Sequence, residues 1–302
     1  MSWKGLALFL SLTLAPGCTV GPDYQRTVTH VPEGFRGAEP GVPHDSAGRT
    51  FGDIRWFELL EDPDLQLLIR IALKENHDVR IAAQRILEYQ ARLTSTRSSL
   101  FPTVQAGGKY LESRSSEQGL SPVPDDLAER SAYQLFADLS WEIDFFGRVR
   151  RATEASAAEF FAAEENYKFI IQTLITGLAR AYIELLAFDL ELEIARRAVQ
   201  SRQDSYRLVK IRQQGGVDSL LALRQAEGLV HAASRTIPDL ERQVDQKENE
   251  ITALLGGNPG PVRRGKLLEQ HLKVEVPPGL PSSLLERRPD IRTAEELSLI
   301  HI

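Results

Sequence analysis

The chain has 302 residues, of which 42% are hydrophobic, 26% charged and only 7% aromatic, and its formal net charge is −6. It is long enough to bury a core, and its apolar residues are mostly Ala, Leu, Ile and Val, which suits helices. Charges of both signs are spread without a basic block, the histidines lack metal-ligand spacing, and no phosphate loop, nucleophile elbow or redox-cysteine motif occurs, so no nucleic acid, metal, cofactor or enzyme activity is expected.

Lys4 precedes an apolar run from Gly5 to Leu14 that is too short to span a bilayer, and Ala15-Pro16-Gly17 supply the small residues a signal peptidase needs. Residues 1–17 therefore read as a signal peptide. Cys18, the single cysteine, stands directly after the cut and reads as a lipid attachment site, because acylation consumes the thiol and leaves no need for a disulfide partner. Residues 18–61 follow as a lipid-anchored, extended segment, rich in Pro and Gly over 19–50. Beyond the leader no apolar run reaches the ~20 residues of a membrane helix, and no helical span is expected.

Asp62-Pro63-Asp64 offers an N-cap, a proline at the first helical position and an acidic first turn, which opens a helix to about Lys74. Asn76-His77-Asp78 interrupts it. From Asp78 a second helix carries Val79, Ile86, Leu93 and Leu100 at intervals of seven, and Pro102 ends it.

The period then changes from seven to two. Val104, Ala106, Gly108 and Tyr110 alternate with polar or small neighbours, and Tyr133, Leu135, Ala137, Leu139, Trp141 and Ile143 alternate with Gln134, Phe136, Asp138, Ser140, Glu142 and Asp144. These predict two strands within 102–146, joined by a polar loop over 113–130. One apolar and one polar face fit a membrane β-barrel, and they fit equally a soluble hairpin packed on helices. Tyr110, Tyr133 and Trp141 stand where membrane-interface aromatics would.

From Arg148 to Gln214 there is no proline and one glycine, so a continuous helix would be about 100 Å long at 1.5 Å per residue. Phe160, Tyr167, Leu174, Ala181, Phe188 and Ala195 recur every seven residues, with Ile171, Leu178, Leu185, Leu192, Val199 and Tyr206 four further on. After Gly215-Gly216 a return helix carries Leu223, Val230, Ile237, Val244 and Ile251, with Pro238 expected to bend it and Gly256-Gly257 to close it. The pattern predicts a long antiparallel helical hairpin over 147–256, its tip near 213–219. A linker over 257–280 follows. Leu285–Ala294 then lines up with Leu73–Ala82 at an offset of 212, with Leu, Asp, Arg and Ala coinciding, which predicts that a second structural repeat begins near Pro281.

Four motifs, Cys18-Thr-Val-Gly-Pro-Asp-Tyr24, Leu139-Ser-Trp-Glu-Ile-Asp-Phe-Phe-Gly-Arg148, Gly215-Gly-Val-Asp-Ser219 and Glu286-Arg-Arg-Pro-Asp-Ile291, strongly resemble, in this order, those of the outer membrane factor family, the TolC-like and NodT-type lipoprotein channels of efflux systems. The resemblance implies a mainly helical fold with a β-hairpin, in which three protomers build a twelve-stranded outer-membrane β-barrel continued by a tunnel of coiled helices. It implies a passive conduit in a tripartite efflux or secretion system, lipid-anchored in the outer membrane with a large periplasmic part that includes the helices of 62–101. Its partners would be two further copies, a periplasmic adaptor and an inner-membrane RND-type pump. Tyr133, Leu135, Leu139, Trp141 and Ile143 would face lipid, and the tip residues Gln213, Gln214, Gly215, Gly216, Val217, Asp218 and Ser219 would dock the adaptor. No gate residues are implied. Two other readings stand beside this one, a periplasmic membrane-fusion adaptor and a structural lipid-anchored coiled coil. The last six residues, 297–302, depart from the family pattern and match a reading frame of a common sequencing adaptor, which reads as a truncated second repeat.

Overall fold

A computed structural model describes residues 20–26, 54–116, 124–270 and 283–301. Cys18 and the leader lie outside the described residues, as do most of the segment before residue 54 and parts of the loop and linker. The described elements are α1 (Trp56–Leu59), α2 (Pro63–Glu75), α3 (His77–Ser98), β1 (Thr103–Arg114), α4 (Asp125–Ala128), β2 (Glu129–Ser140), α5 (Arg148–Gln214), α6 (Leu220–Ser234), α7 (Thr236–Leu254), a 3-10 turn (Leu267–Glu269), α8 (Ser283–Arg287) and α9 (Pro289–Leu299). They belong to two compact units. Of the described residues, one comprises 20–26, 87–116, 124–161 and 295–301, the other 54–86, 162–270 and 283–294.

The second unit holds the main apolar core. α2 begins where Asp62 caps it, its carboxylate accepting from the Asp64 and Leu65 amides at 2.8 and 3.1 Å, with Pro63 in the first turn. Its apolar positions at i, i+3, i+4 and i+7, Leu65, Leu68, Ile69 and Ala72, are all buried. They meet Leu174, Leu178, Ala181, Tyr182, Leu185 and Leu186 of α5, Val79 of α3, Val244 and Ile251 of α7, and Val262. Asn76, buried between α2 and α3, donates from Nδ2 to the Leu254 carbonyl at 2.8 Å and accepts from the Asp78 and Val79 amides, so it caps α3 and binds it to the end of α7.

α5 and the return helices run antiparallel. Glu184 meets Lys247 at 2.8 Å and Arg196 meets Glu241 at 2.8 Å, so the partner number falls as the α5 number rises. Burial along α5 is concentrated between Leu174 and Leu186, with Val199 the last buried position before the tip. α5 also contains an 18-residue window of mean hydropathy 1.4, apolar enough by composition to cross a membrane, where the sequence reading expected no such helix. A third of that window is buried in the core, which calls for apolar residues as a membrane helix does. The return path is broken at Arg235, three residues before Pro238. Pro238 has no N–H for the Ser234 carbonyl four residues back, and its ring crowds that carbonyl, so the interruption falls there rather than at the proline itself.

In the first unit β1 and β2 pair antiparallel from Thr103↔Ser140 to Arg114↔Glu129. Both strands reach further into the connection than the apolar alternation, because backbone pairing also recruits polar residues. Arg114 and Glu129 close the far end with an ion pair at 3.5 Å. β2 stops at Ser140, so Trp141 and Ile143, read as strand positions, follow it as irregular backbone.

Candidate functional site: the strand pair and the helix tip

The register decides which side chains share a face. Val104↔Leu139, Ala106↔Ala137, Gly108↔Leu135 and Tyr110↔Tyr133 lie on one side, and Gln105↔Asp138, Gly107↔Phe136 and Lys109↔Gln134 on the other. The apolar face is uncovered: Tyr133 is 81% exposed, Leu135 89% and Leu139 72%. The Tyr110 and Tyr133 rings stack across the strands with centroids 4.8 Å apart. The other face holds two large apolar groups, Leu111 and Phe136, and the Phe136 ring occupies the space a side chain at Gly107 would take.

The strand leads into α5 through a turn that the sequence marks but whose mechanics only the structure reveals. Gly147 adopts φ +82, open to glycine and costly for other residues. Having no side chain, it leaves the first amides of α5 without a local cap, and Asp144 reaches forward to take the Arg150 amide at 2.9 Å. Partial desolvation pushes the Asp144 carboxyl up, but the Arg150 and Val149 amides and the Arg150 guanidinium more than offset this and hold it below its ordinary value. Glu142 and Arg148 form a two-point pair at 2.9 and 2.7 Å, and the Trp141 indole donates to the Leu100 carbonyl at 3.2 Å.

Two of the sequence motifs meet here. The Val20 amide donates to the Phe146 carbonyl at 3.2 Å, and Arg151 reaches the Gly21 carbonyl and the Asp23 carboxylate at 3.3 and 3.0 Å. The Tyr24 hydroxyl and Arg26 both engage Glu295, at 2.6 and 3.0 Å.

Asp144→Ala should fray the first turn of α5, seen as faster hydrogen exchange at the Val149 and Arg150 amides while the β1–β2 amides stay protected. The wild type should do the same in acid. A carboxyl whose folded pKa is depressed stabilises above its unfolded pKa and loses that contribution as pH falls through the folded value.

At the far end of α5 the chain reverses over Gly215–Ser219. Gly216 carries the left-handed φ, +76, while Gly215 does not. The Val217 amide donates to the Arg212 carbonyl at 2.9 Å and the Gly216 amide to Gln213 at 3.0 Å, a helix-ending pattern that requires this conformation at Gly216. Ser219 caps α6 by accepting from the Ala222 amide at 3.2 Å, and Arg212 spans the reversal to Asp218 at 2.9 Å. Around this fixed turn stand exposed apolar side chains: Leu208, Ile211, Val217, Leu220 and Leu221. Gln213 and Asp218 are half-buried, while Gln214, Gly215, Gly216 and Ser219 are exposed.

Sequence reasoning missed two polar knots in the second unit. The Tyr182 hydroxyl donates to Asp62 at 2.9 Å and accepts from the Gly265 amide at 3.2 Å, and Gln270 adds a contact to Asp62 at 2.6 Å. Burial pushes the Tyr182 hydroxyl up, so it stays protonated as a donor. Partial burial opposes ionisation of Asp62, but the bonds from Leu65, Gln270, Tyr182 and Asp64 prevail and keep it below its ordinary range. Arg264 is clamped by Asp189 and Glu248. Their partners lie from 16 to 208 residues apart, and no local motif announces them. Among the described residues no group of His, Cys, Asp and Glu is placed to hold a metal.

The Outer membrane efflux protein profile matches residues 68–257, well over half of the chain. The chain belongs to that family. It is 32% identical over 300 residues to the probable efflux pump outer membrane protein TtgC of Pseudomonas putida, an alignment covering 97% of this chain and 60% of TtgC. To the probable outer membrane lipoprotein SilC of Salmonella typhimurium it is 29% identical, covering 97% of this chain and 62% of SilC. The fold is similar to that of the Neisseria gonorrhoeae MtrE outer membrane channel, solved in its open state, with a TM-score of 0.76 and 28% identity over 94% of this chain and 61% of MtrE. The chain thus spans about three fifths of the length of these relatives.

Proposed function

We propose that this family member serves as part of a trimeric outer-membrane channel, the passive conduit of a tripartite efflux or secretion system whose drive comes from an inner-membrane pump joined through a periplasmic adaptor. The observation that carries this reading is the β1–β2 pair. Its apolar side, with Leu135 and Leu139 among the most exposed large apolar residues, has no cover among the described residues. A soluble hairpin would bury such a face, whereas a barrel strand turns it to lipid and its polar partner face to water. Tyr133, Leu135 and Leu139 then contact acyl chains, and Trp141 and Ile143, just beyond β2, sit at the interface. The polar side supplies Gln105, Lys109, Gln134 and Asp138 to an aqueous path. An open two-stranded pair leaves unsatisfied backbone edges in a bilayer, so the strands need neighbours from further repeats and copies.

The channel reading is tested by outer-membrane extraction and electrophoresis of unheated samples. A trimer that falls to monomer only on heating is expected. A protein recovered from the soluble periplasm as a monomer would contradict it.

The tip is the adaptor's docking point in this reading, because its turn is fixed by backbone bonds and the apolar side chains around it are left open. Val217→Asp should abolish export while leaving the trimer and its outer-membrane level unchanged. If the trimer is lost instead, Val217 serves the fold and not the docking.

Cys18 anchors the chain through its acyl groups, and Thr19, not being an aspartate, permits sorting to the outer membrane. Palmitate-analogue labelling should mark the wild type and spare Cys18→Ser. Equal labelling of both would remove the anchor from the proposal.

A further inference from the structure

We propose that Gly107 sets the clear width of the conduit by giving the Phe136 ring a place to lie flat against the wall, so that a side chain at position 107 would turn the ring into the path. The proposal rests on the channel reading and names the pair of residues that limits how bulky a solute passes the barrel.

Phe136 breaks the pattern of its own strand. β2 turns Tyr133, Leu135 and Leu139 to the apolar side, while Phe136 stands between Gln134 and Asp138 on the side that meets water in the channel reading. Across from it is Gly107, between Gln105 and Lys109 on the same face. The ring does not stand off the sheet. It crosses to β1, where a Cβ built on Gly107 would lie 2.4 Å from Phe136 Cζ and 2.8 Å from Cε1, closer than side chains approach one another. Exposure agrees, since every residue of β1 and β2 is exposed except Gly107, which is half-buried. Phe136 is 46% exposed where its neighbour Leu135 is 89%. One side of the ring rests on glycine backbone and the other is open.

Gly108, one residue on, supplies the contrast. It lies on the apolar side, and a Cβ there would meet Leu135 Cδ2 at 3.2 Å, a contact that a flexible leucine relieves by a small shift. Only the glycine on the water side is a seat for a ring. A glycine inside a strand weakens it and often marks a place where another group comes close to the backbone, and here that group is the ring of Phe136.

The width of the barrel makes the seat matter. Side chains on a strand otherwise stand roughly perpendicular to the sheet, which in a closed barrel means toward the axis. The interior of a barrel of about eight strands is filled by its side chains and one of about sixteen leaves an open channel, so in the twelve-stranded barrel of the channel reading the height of the lining decides the bore. Rotational symmetry brings the rings of all copies to one level. The atom that a Cβ at 107 would meet first is the tip of the ring, so the ring yields rather than the backbone, and its other staggered positions point away from the wall.

Thiol labelling from outside intact cells tests the pair in the full-length protein. Thr103→Cys lies on the same face as Gly107, at the end of β1 away from the hairpin loop. A maleimide too bulky for other outer-membrane pores reaches it only past the level of Gly107, while N-ethylmaleimide, small enough to enter by any pore, reports that the thiol is free; both are read on the peptide carrying residue 103. Gly107→Ala should slow the bulky reagent several-fold and leave N-ethylmaleimide unchanged. Gly108→Ala should change neither, and Phe136→Ala added to Gly107→Ala should restore the bulky reagent's rate. Slowing of both reagents, slowing by Gly108→Ala, no slowing by Gly107→Ala, or slowing that survives removal of the ring would each overturn the proposal and leave the channel reading in place. An effect confined to the temperature at which the trimer dissociates would overturn it too, by making the pair a stabilising contact only. If Gly107→Ala yields no trimer, Phe136→Ala combined with Ala132→Phe carries the test. It moves the ring opposite Leu111, where no position is empty, and should slow the bulky reagent alike, whereas an unchanged rate would overturn the proposal. A Thr103→Cys protein, otherwise unaltered, that the bulky reagent never reaches would remove the channel reading and the aperture together.

Discussion

Leu139→Arg should impair assembly of the strand pair into a membrane, while Ser140→Arg, one residue away, should be tolerated. Adjacent strand residues point to opposite faces, and the register puts Leu139 beside Val104 on the apolar side and Ser140 beside Thr103 on the polar side. A guanidinium carried on the lipid face costs about 2–4 kcal/mol near the middle of the bilayer and falls toward nothing at its edge, whereas the lumen side meets water. The measurement is the fraction of full-length protein that reaches a heat-modifiable trimer. Equal loss in both variants, or loss only with Ser140→Arg, would show that the pair does not meet lipid in this register.

Leu185→Ala should lower the stability of the helical core by about 2–5 kcal/mol, the usual cost of truncating a buried leucine whose surroundings close only partly. Leu185 is fully buried among Leu178, Tyr182 and the α2 side chains, so its loss leaves a void rather than a solvated notch. Leu208→Ala, at a position 58% exposed on the same helix, should cost well under a quarter of that. Chemical unfolding followed by helix content separates them. Similar midpoints for both variants would place the core elsewhere.

Much of this architecture was legible in the residues. A period of seven marked α5 and its return path, and a period of two marked β1 and β2, because each periodicity is the shadow of one covered or uncovered face. The cap at Asp62 and the reversal at Gly215-Gly216 were legible too, since each is a local pattern. What stayed hidden was whatever depends on pairing across distance. Alternation could not say that β2 ends at Ser140, because Trp141 and Ile143 keep the rhythm after the ladder has stopped. Nor could it locate the Asp62–Tyr182–Gln270 knot or the grip of Asp189 and Glu248 on Arg264. The motif from Leu139 to Arg148 was visible as a family mark, while its work as a strand-to-helix turn, with Asp144 standing in for the side chain Gly147 lacks, required coordinates.

Burial along α5 is heavy from Leu174 to Leu186 and nearly gone beyond Val199, and α6 has no buried residue at all. Opening free energy should follow that gradient, with amides near Leu185 exchanging only on global unfolding and those near Val217 exchanging through small local openings. One continuous helix therefore contains a slow end and a fast end. Some thirty residues of lightly buried helix separate Gly216 from the core, so the end of the hairpin should open and reclose many times within the lifetime of a single folded state.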